Sequence, residues 1–74
     1  MESVGQRIKR NRLKQNLTQQ QLREQAGMSG AFLSEIENDK RRIGSDKLLA
    51  VSRVLNVSMN YLMTGREFKP RVTQ

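Results

Sequence analysis

Leu17-Thr-Gln-Gln-Gln-Leu-Arg-Glu-Gln-Ala-Gly-Met-Ser-Gly-Ala-Phe-Leu-Ser-Glu-Ile-Glu-Asn38 holds two helical segments with a turn between them. Thr18 reads as an N-cap, since its hydroxyl can accept from a backbone N–H of the first turn. It opens a helix from Gln19 to Ala26, with Leu22 and Ala26 four apart on the buried face and Gly27 just past the end, where a left-handed residue is wanted. Ser29 reads as the next N-cap, and a further helix runs from about Gly30 to Asn38 with Leu33 and Ile36 as its apolar residues. Two short helices separated by a Gly-containing turn form a helix-turn-helix, placed at about 19–38. Such a turn makes the second helix protrude, so that helix 30–38 can enter a DNA major groove about 12 Å wide while the first crosses the backbone.

The flanking sequence is written in the same style. Ser3 caps a first helix running to about Gln15, with Val4 and Ile8 on one face and cationic residues around the rest. Ser45 is expected to cap a fourth helix over 46–55, carrying Leu48, Val51 and Leu55 at core spacing. Ser58 caps a short fifth helix with Tyr61 and Leu62, closed by Gly65. No strand alternation is sustained, so the fold class is all-α: a compact five-helix domain over 1–65. Residues 66–74 are polar and basic with the only Pro, and read as a tail or a cut linker.

Composition narrows the function. A chain of 74 residues holds one small core. Without Cys or His it has no disulfide framework and lacks the usual zinc ligands, so neither a metal nor another cofactor is expected. Fourteen Lys and Arg against seven Asp and Glu give a net charge of +7, which favours polyanionic partners. The charge is clustered, at Arg7, Lys9, Arg10, Arg12 and Lys14 and again at Lys40-Arg41-Arg42. Apolar runs such as Leu48-Leu49-Ala50-Val51 are far below the roughly 20 residues that cross a bilayer. The amino terminus shows no signal-peptide apolar region, which makes the cytoplasm or nucleoid the default residence. A membrane-surface peptide is disfavoured because the apolar residues fall on several short capped helices rather than one long amphipathic face. An enzyme is disfavoured too. There is no glycine-rich phosphate loop or metal-binding His-Glu pattern, and the domain is too small for a deep pocket, so no small-molecule ligand is expected.

Gly-Gln-Arg-Ile-Lys at 5–9, Leu17-Thr18-Gln19, Ala26-Gly27-Met28-Ser29, Phe32-Leu33-Ser34-Glu35-Ile36-Glu37-Asn38 and Leu55-Asn-Val-Ser-Met-Asn-Tyr-Leu62 with Thr64-Gly65 form a set. Together they resemble the lambda-repressor-like, Cro-type helix-turn-helix regulators of phages and bacteria, also known as the xenobiotic-response-element type. The resemblance covers residues 4–65. It implies a lambda-repressor-like fold and sequence-specific binding of double-stranded DNA, with repression of transcription as the expected outcome. One position departs from the pattern. Arg23 stands where the family has a small residue, commonly Ala, that lets the two helices approach; an Arg must either lay its stem along the contact or push the helices apart.

Helical geometry assigns roles within the third helix. With Leu33 at the centre of the buried face and about 100° per residue, Ile36 and Glu37 flank it, while Ala31, Ser34, Glu35 and Asn38 point outward. Ser29 and Gly30 would enter a groove first. The expected base contacts are Ser29, Gly30, Ala31, Ser34 and Glu35. Gly30 and Ala31 matter by what they lack, since Gly permits backbone approach and Ala can pack on a thymine methyl, so direct readout is sparse. Glu35 would be repelled by phosphates unless it accepts from cytosine N4 or pairs with a nearby cation. Phe32 reads as rim packing. Phosphate contacts are expected from Thr18 and Gln19 at the start of the second helix, where free backbone amides face the same anion, and from Asn38, Lys40, Arg41 and Arg42, one of the arginines being placed to enter the minor groove. The family uses Gln at the position of Gln19 in this way. Arg12 resembles the family's first-helix Arg, which implies a salt bridge to Glu37 and a contact to backbone phosphate.

The partner expected is a pseudo-palindromic operator bound by a weak homodimer with a contact at Met59, the recognition helices about 34 Å apart. The alternative reading is an antitoxin or other interaction module that binds a protein and DNA jointly, with Met59 and Met63 as the apolar surface.

Overall fold

The computed structural model describes residues 2–66, and the 67–74 portion of the expected tail lies outside them. Five helices follow in order: α1 Val4–Lys14, α2 Gln19–Ala26, α3 Gly30–Glu37, α4 Ser45–Leu55 and α5 Met59–Thr64. Four open on hydroxyl caps. Ser3, Thr18, Ser29 and Ser58 each accept from the backbone N–H three residues on, and Ser3 and Thr18 complete reciprocal boxes with Gln6 and Gln21. Gly27 and Gly65 end α2 and α5 in the left-handed conformation, as their positions required.

Three boundaries differ from the sequence reading. The cap of α4 is Gly44 rather than Ser45, which is the first helical residue; Gly44 makes no side-chain cap, and the acidic group in that first turn is Asp46. Adjacent Gly and Ser are both acceptable at this position, so local chemistry did not distinguish them. Helix α3 ends at Glu37, because Asn38 leaves helical geometry and Asp39 turns left-handed. Helix α1 ends at Lys14, with Gln15 as its cap.

Ile8, Leu22, Leu33, Ile36, Val51, Leu55 and Leu62 form the fully buried centre, one or two from every helix, with Ala26, Met28 and Leu48 around them. Each large aliphatic removed from water contributes about 1.5–3 kcal/mol. Helix α1 lies against α3, α4 and α5, and α2 packs on α3 and α4. At the α1–α3 crossing there is no space for a side chain: a Cβ on Gly5 would stand only 1.9 Å from the Ile36 carbonyl oxygen. Ser3 Oγ also donates across this contact to Asp39 Oδ1 at 2.5 Å.

Arg7 belongs to the amino-terminal cluster of cations, yet it is buried. Its Nε donates to the Leu62 carbonyl at 2.9 Å, and its two terminal nitrogens donate to the carbonyls of Glu2 at 2.8 Å and Met63 at 3.3 Å. One guanidinium thus satisfies carbonyls at the end of α5 that the helix leaves without partners. Nearby, Arg10 forks onto the Glu2 carboxylate and donates to Tyr61 Oη, which also accepts from Asn11 Nδ2.

Candidate nucleic-acid interface

The α2–turn–α3 unit is held by three independent devices. Leu22, Ala26, Leu33 and Ile36 join the common core. Gly27, at φ 72°, turns the chain between the helices, and its carbonyl accepts from Lys47 Nζ of α4 at 2.9 Å. The third device is polar. Arg12 of α1 makes a bidentate pair with Glu37 at the end of α3, Nε to Oε2 at 2.8 Å and Nη2 to Oε1 at 3.0 Å. Its Nη1 donates to the Leu17 carbonyl at 2.8 Å, just before α2 begins. Gln19 Nε2 adds a third donor to Glu37 Oε1 at 2.9 Å. The Glu37 side chain is 1% exposed and that of Arg12 8%, so the network ties three helices together inside the domain. The Arg12–Glu37 pair stands where the resemblance implied it. The Gln19 bond has no signal in the sequence, where Gln19 reads as a phosphate ligand at the start of α2 and its partner lies 18 residues away.

Other residues singled out from sequence lie at the caps of α2 and α3, on α3 itself and in the connection after it. Thr18 and Ser29 are committed to their caps, accepting from Gln21 N at 3.0 Å and Phe32 N at 3.2 Å. Ala31 is exposed, and Ser34 is partly exposed beside it. Asn38 is exposed and folds its Nδ2 back onto the Ser34 carbonyl at 2.8 Å. Lys40, Arg41 and Arg42 are all exposed. Glu35 has found its cation: Arg41 Nε donates to Glu35 Oε1 at 2.7 Å, and the same guanidinium lies over the Phe32 ring, 5.4 Å from its centroid. Phe32 itself packs partly against the core, as rim residues do.

Arg23 resolves the departure noted in the sequence. It is half-buried, and a Cβ built on Gly30 would lie 3.2 Å from Arg23 Nε, 3.5 Å from its Cδ and 3.7 Å from its Cζ. A large residue on α2 is therefore matched by the smallest one on α3, and the side chain occupies room that any residue other than Gly at position 30 would contest. Met59 is half-buried against the core, whereas Met63 is 56% exposed. Among the described residues no group of His, Cys, Asp and Glu is disposed to hold a metal ion, and no helix is long and apolar enough to cross a membrane.

Residues 8–62 match the family model described as helix-turn-helix. The chain is 38% identical over 61 residues to the immunity repressor protein of Bacillus phage phi105, an alignment covering 82% of this chain and 42% of that protein. It is likewise 38% identical over 61 residues to the HTH-type transcriptional regulator ImmR of Bacillus subtilis, covering 82% of this chain and 48% of the relative. The chain thus spans less than half the length of these curated relatives. Among solved structures, the P22 c2 repressor in complex with a synthetic operator superposes with a TM-score of 0.84 at 30% identity, over 89% of this chain and all of that one. Motifs, fold and matches agree: the chain belongs to the helix-turn-helix family, in its lambda-repressor-like, Cro-type form.

Proposed function

We propose that this domain binds double-stranded DNA sequence-specifically and represses transcription, with α3 as the helix that enters the major groove. The observation that carries this reading is the locked α2–α3 unit, in which buried Glu37 joins Arg12 and Gln19 while Ala31, Ser34 and Asn38 stay on the outer side of α3. A helix held by its partners and open on one side suits insertion into a groove. The phi105 immunity repressor and the operator-bound P22 c2 repressor support it.

Phosphate contacts fall to residues around α3. Gln19 retains a second amide proton beyond the one given to Glu37, and Arg12 retains one on each terminal nitrogen. Thr18 stands at the start of α2, where backbone amides are free. Asn38, Lys40 and Arg42 follow α3 on the surface, while Arg41 is drawn onto α3 by Glu35. Ser29, Gly30, Ala31 and Ser34 line the approach to base edges. The exposed Met63 beside half-buried Met59 supports a weak self-contact and a pseudo-palindromic operator. On this reading the protein works in the cytoplasm at the nucleoid and catalyses nothing.

Selection of bound sites from random duplex DNA tests the proposal. Enrichment of a two-fold-related sequence is the expected result, and recovery of random sequence excludes it. With about six phosphates contacted across two subunits, log K should fall against log salt with a slope of roughly −5. Gln19→Ala should weaken all sites alike.

A further inference from the structure

The outer side of α3 is poor in groups that can read bases. Taking Leu33 as the centre of the buried side and about 100° per residue, Gly30 sits near 60°, Ser34 near 100°, Ala31 near 160°, Glu35 near 200° and Phe32 near 260°. Ala31 and Glu35 stand equally close to the outermost direction, one apolar and the other already paired with Arg41, and the first residue of the helix has no side chain at all. Both edges of this outer side, however, are occupied by guanidinium groups carried on other elements. Arg23 of α2 lies across Gly30, with Nε 3.2 Å from the place of the missing Cβ. Arg41, from the connection after α3, lies across Phe32 and Glu35 on the opposite edge.

We propose that Arg23 and Arg41 supply the base readout that α3 lacks, each recognising one guanine through its two terminal nitrogens. The inference rests on α3 being the helix that enters the groove. The planar guanidinium fork matches the O6 and N7 acceptors of guanine in the major groove, the commonest specific contact of its kind. Both arginines are partly held before any DNA arrives. The Nε of Arg41 is spent on Glu35 and its Cζ lies over an aromatic ring, and neither Nη1 nor Nη2 has a hydrogen-bond partner among the described residues. Arg23 is fitted along the first turn of α3 by the absence of a side chain at Gly30, and among the described residues it forms no ion pair.

This changes the role of two residues. Glu35 does not accept from cytosine; it is a positioning residue that neutralises and orients Arg41, which also removes the repulsion a bare carboxylate on this surface would meet from phosphates. Gly30 acts by making room for Arg23.

The test determines base preferences for the full chain and four variants by site selection, followed by titration of the selected duplex and of single-base-pair substitutions. Arg23→Lys and Arg41→Lys keep the charge but lose the fork. Each should lower the preference for G·C about 5- to 100-fold at its own base pair and leave the salt slope unchanged. Gly30→Ala, whose methyl would stand 3.2 Å from Arg23 Nε and make that side chain give by a few tenths of an ångström without altering charge, should weaken the preference at the same base pair as Arg23→Lys. Glu35→Gln should relax the same base pair as Arg41→Lys. The paired variants keep each arm testable if one of them folds poorly. A uniform loss over all sequences, with the preference at every base pair kept, would make the arginine a phosphate ligand and overturn the inference, as would unchanged preferences in both lysine variants. Absence of any selected sequence for the unmodified chain would instead overturn the assignment of α3 as a recognition helix, and this inference with it.

Discussion

Replacing Arg12 by Met leaves the Glu37 carboxylate inside the domain with a single neutral donor. Three N–H groups now point at it, two from Arg12 and one from Gln19, and its side chain is 1% exposed, so water cannot take the place of the lost pair without opening the α1–α3 contact. Removing one member of a buried pair costs about 3–5 kcal/mol. A chain of 74 residues has a total stability of roughly 4–11 kcal/mol, so Arg12→Met should consume a large share of it. Glu37→Leu should be damaging for the converse reason, leaving a guanidinium with only the Leu17 carbonyl. The double variant removes both charges together and fills the space with apolar atoms, an exchange that is often neutral or better. Urea unfolding followed by far-UV circular dichroism measures the cycle. With a slope near 1 kcal/mol per molar for so small a domain, each single variant should move the midpoint down by about 3 M or more. The double variant should recover at least about 2 kcal/mol relative to the worse single variant. If Arg12→Met costs less than about 1 kcal/mol, or the two losses simply add, the carboxylate is not a shielded charge dependent on Arg12 and the reasoning fails.

Gly5→Ala places a methyl 1.9 Å from the Ile36 carbonyl oxygen, which is backbone and cannot rotate away; a loss at or above the 1–3 kcal/mol typical of overpacking is expected in the same urea assay. Gly27→Ala meets nothing nearer than Lys47 Nζ at 4.0 Å, so its cost should be only that of holding a left-handed backbone, about 1 kcal/mol, with Gly27→Asn milder. The hydrogen bond from Arg10 holds the Glu2 carboxyl below its ordinary value. A depressed carboxyl stabilises the fold above the usual carboxylate range and loses that contribution as pH falls through its folded value. An NMR titration should therefore find the Glu2 midpoint lowered, and back at the ordinary value in Arg10→Gln.

The parts of the fold that could be read in advance are those whose chemistry is local. Ser3, Thr18, Ser29 and Ser58 satisfy amides three residues away, and Gly27 and Gly65 adopt a backbone that other residues resist. The apolar spacing of Leu22, Leu33, Val51 and Leu55 likewise predicts their burial. What escaped were polar groups whose partners lie far along the chain. Arg7 looks like one more surface cation until the end of α5, 55 residues away, is placed on top of it. Gln19 and Glu37 meet only because α2 and α3 cross. Arg23 and Gly30 were each conspicuous, one too large and the other without a side chain, but their complementarity belongs to the helix crossing and is not visible in spacing. Glu35 left two readings open in sequence, a cytosine or a nearby cation, and the cation that could serve the second is Arg41, 2.7 Å away.

Arg7 has a consequence beyond capping α5. Its guanidinium holds the Glu2 carbonyl in one direction and those of Leu62 and Met63 in the other, so the first and last parts of the described chain are fastened together here, beside the exposed bridge that Arg10 makes from Glu2 to Tyr61. A short flexible link from residue 66 back to residue 2 would close the domain into a ring, and a circular permutant opened elsewhere on the surface should keep the five-helix fold. Pulled by its two ends, the domain would load the Arg7 fastening first and yield there by peeling α5 from α1, before the α2–α3 unit feels any tension.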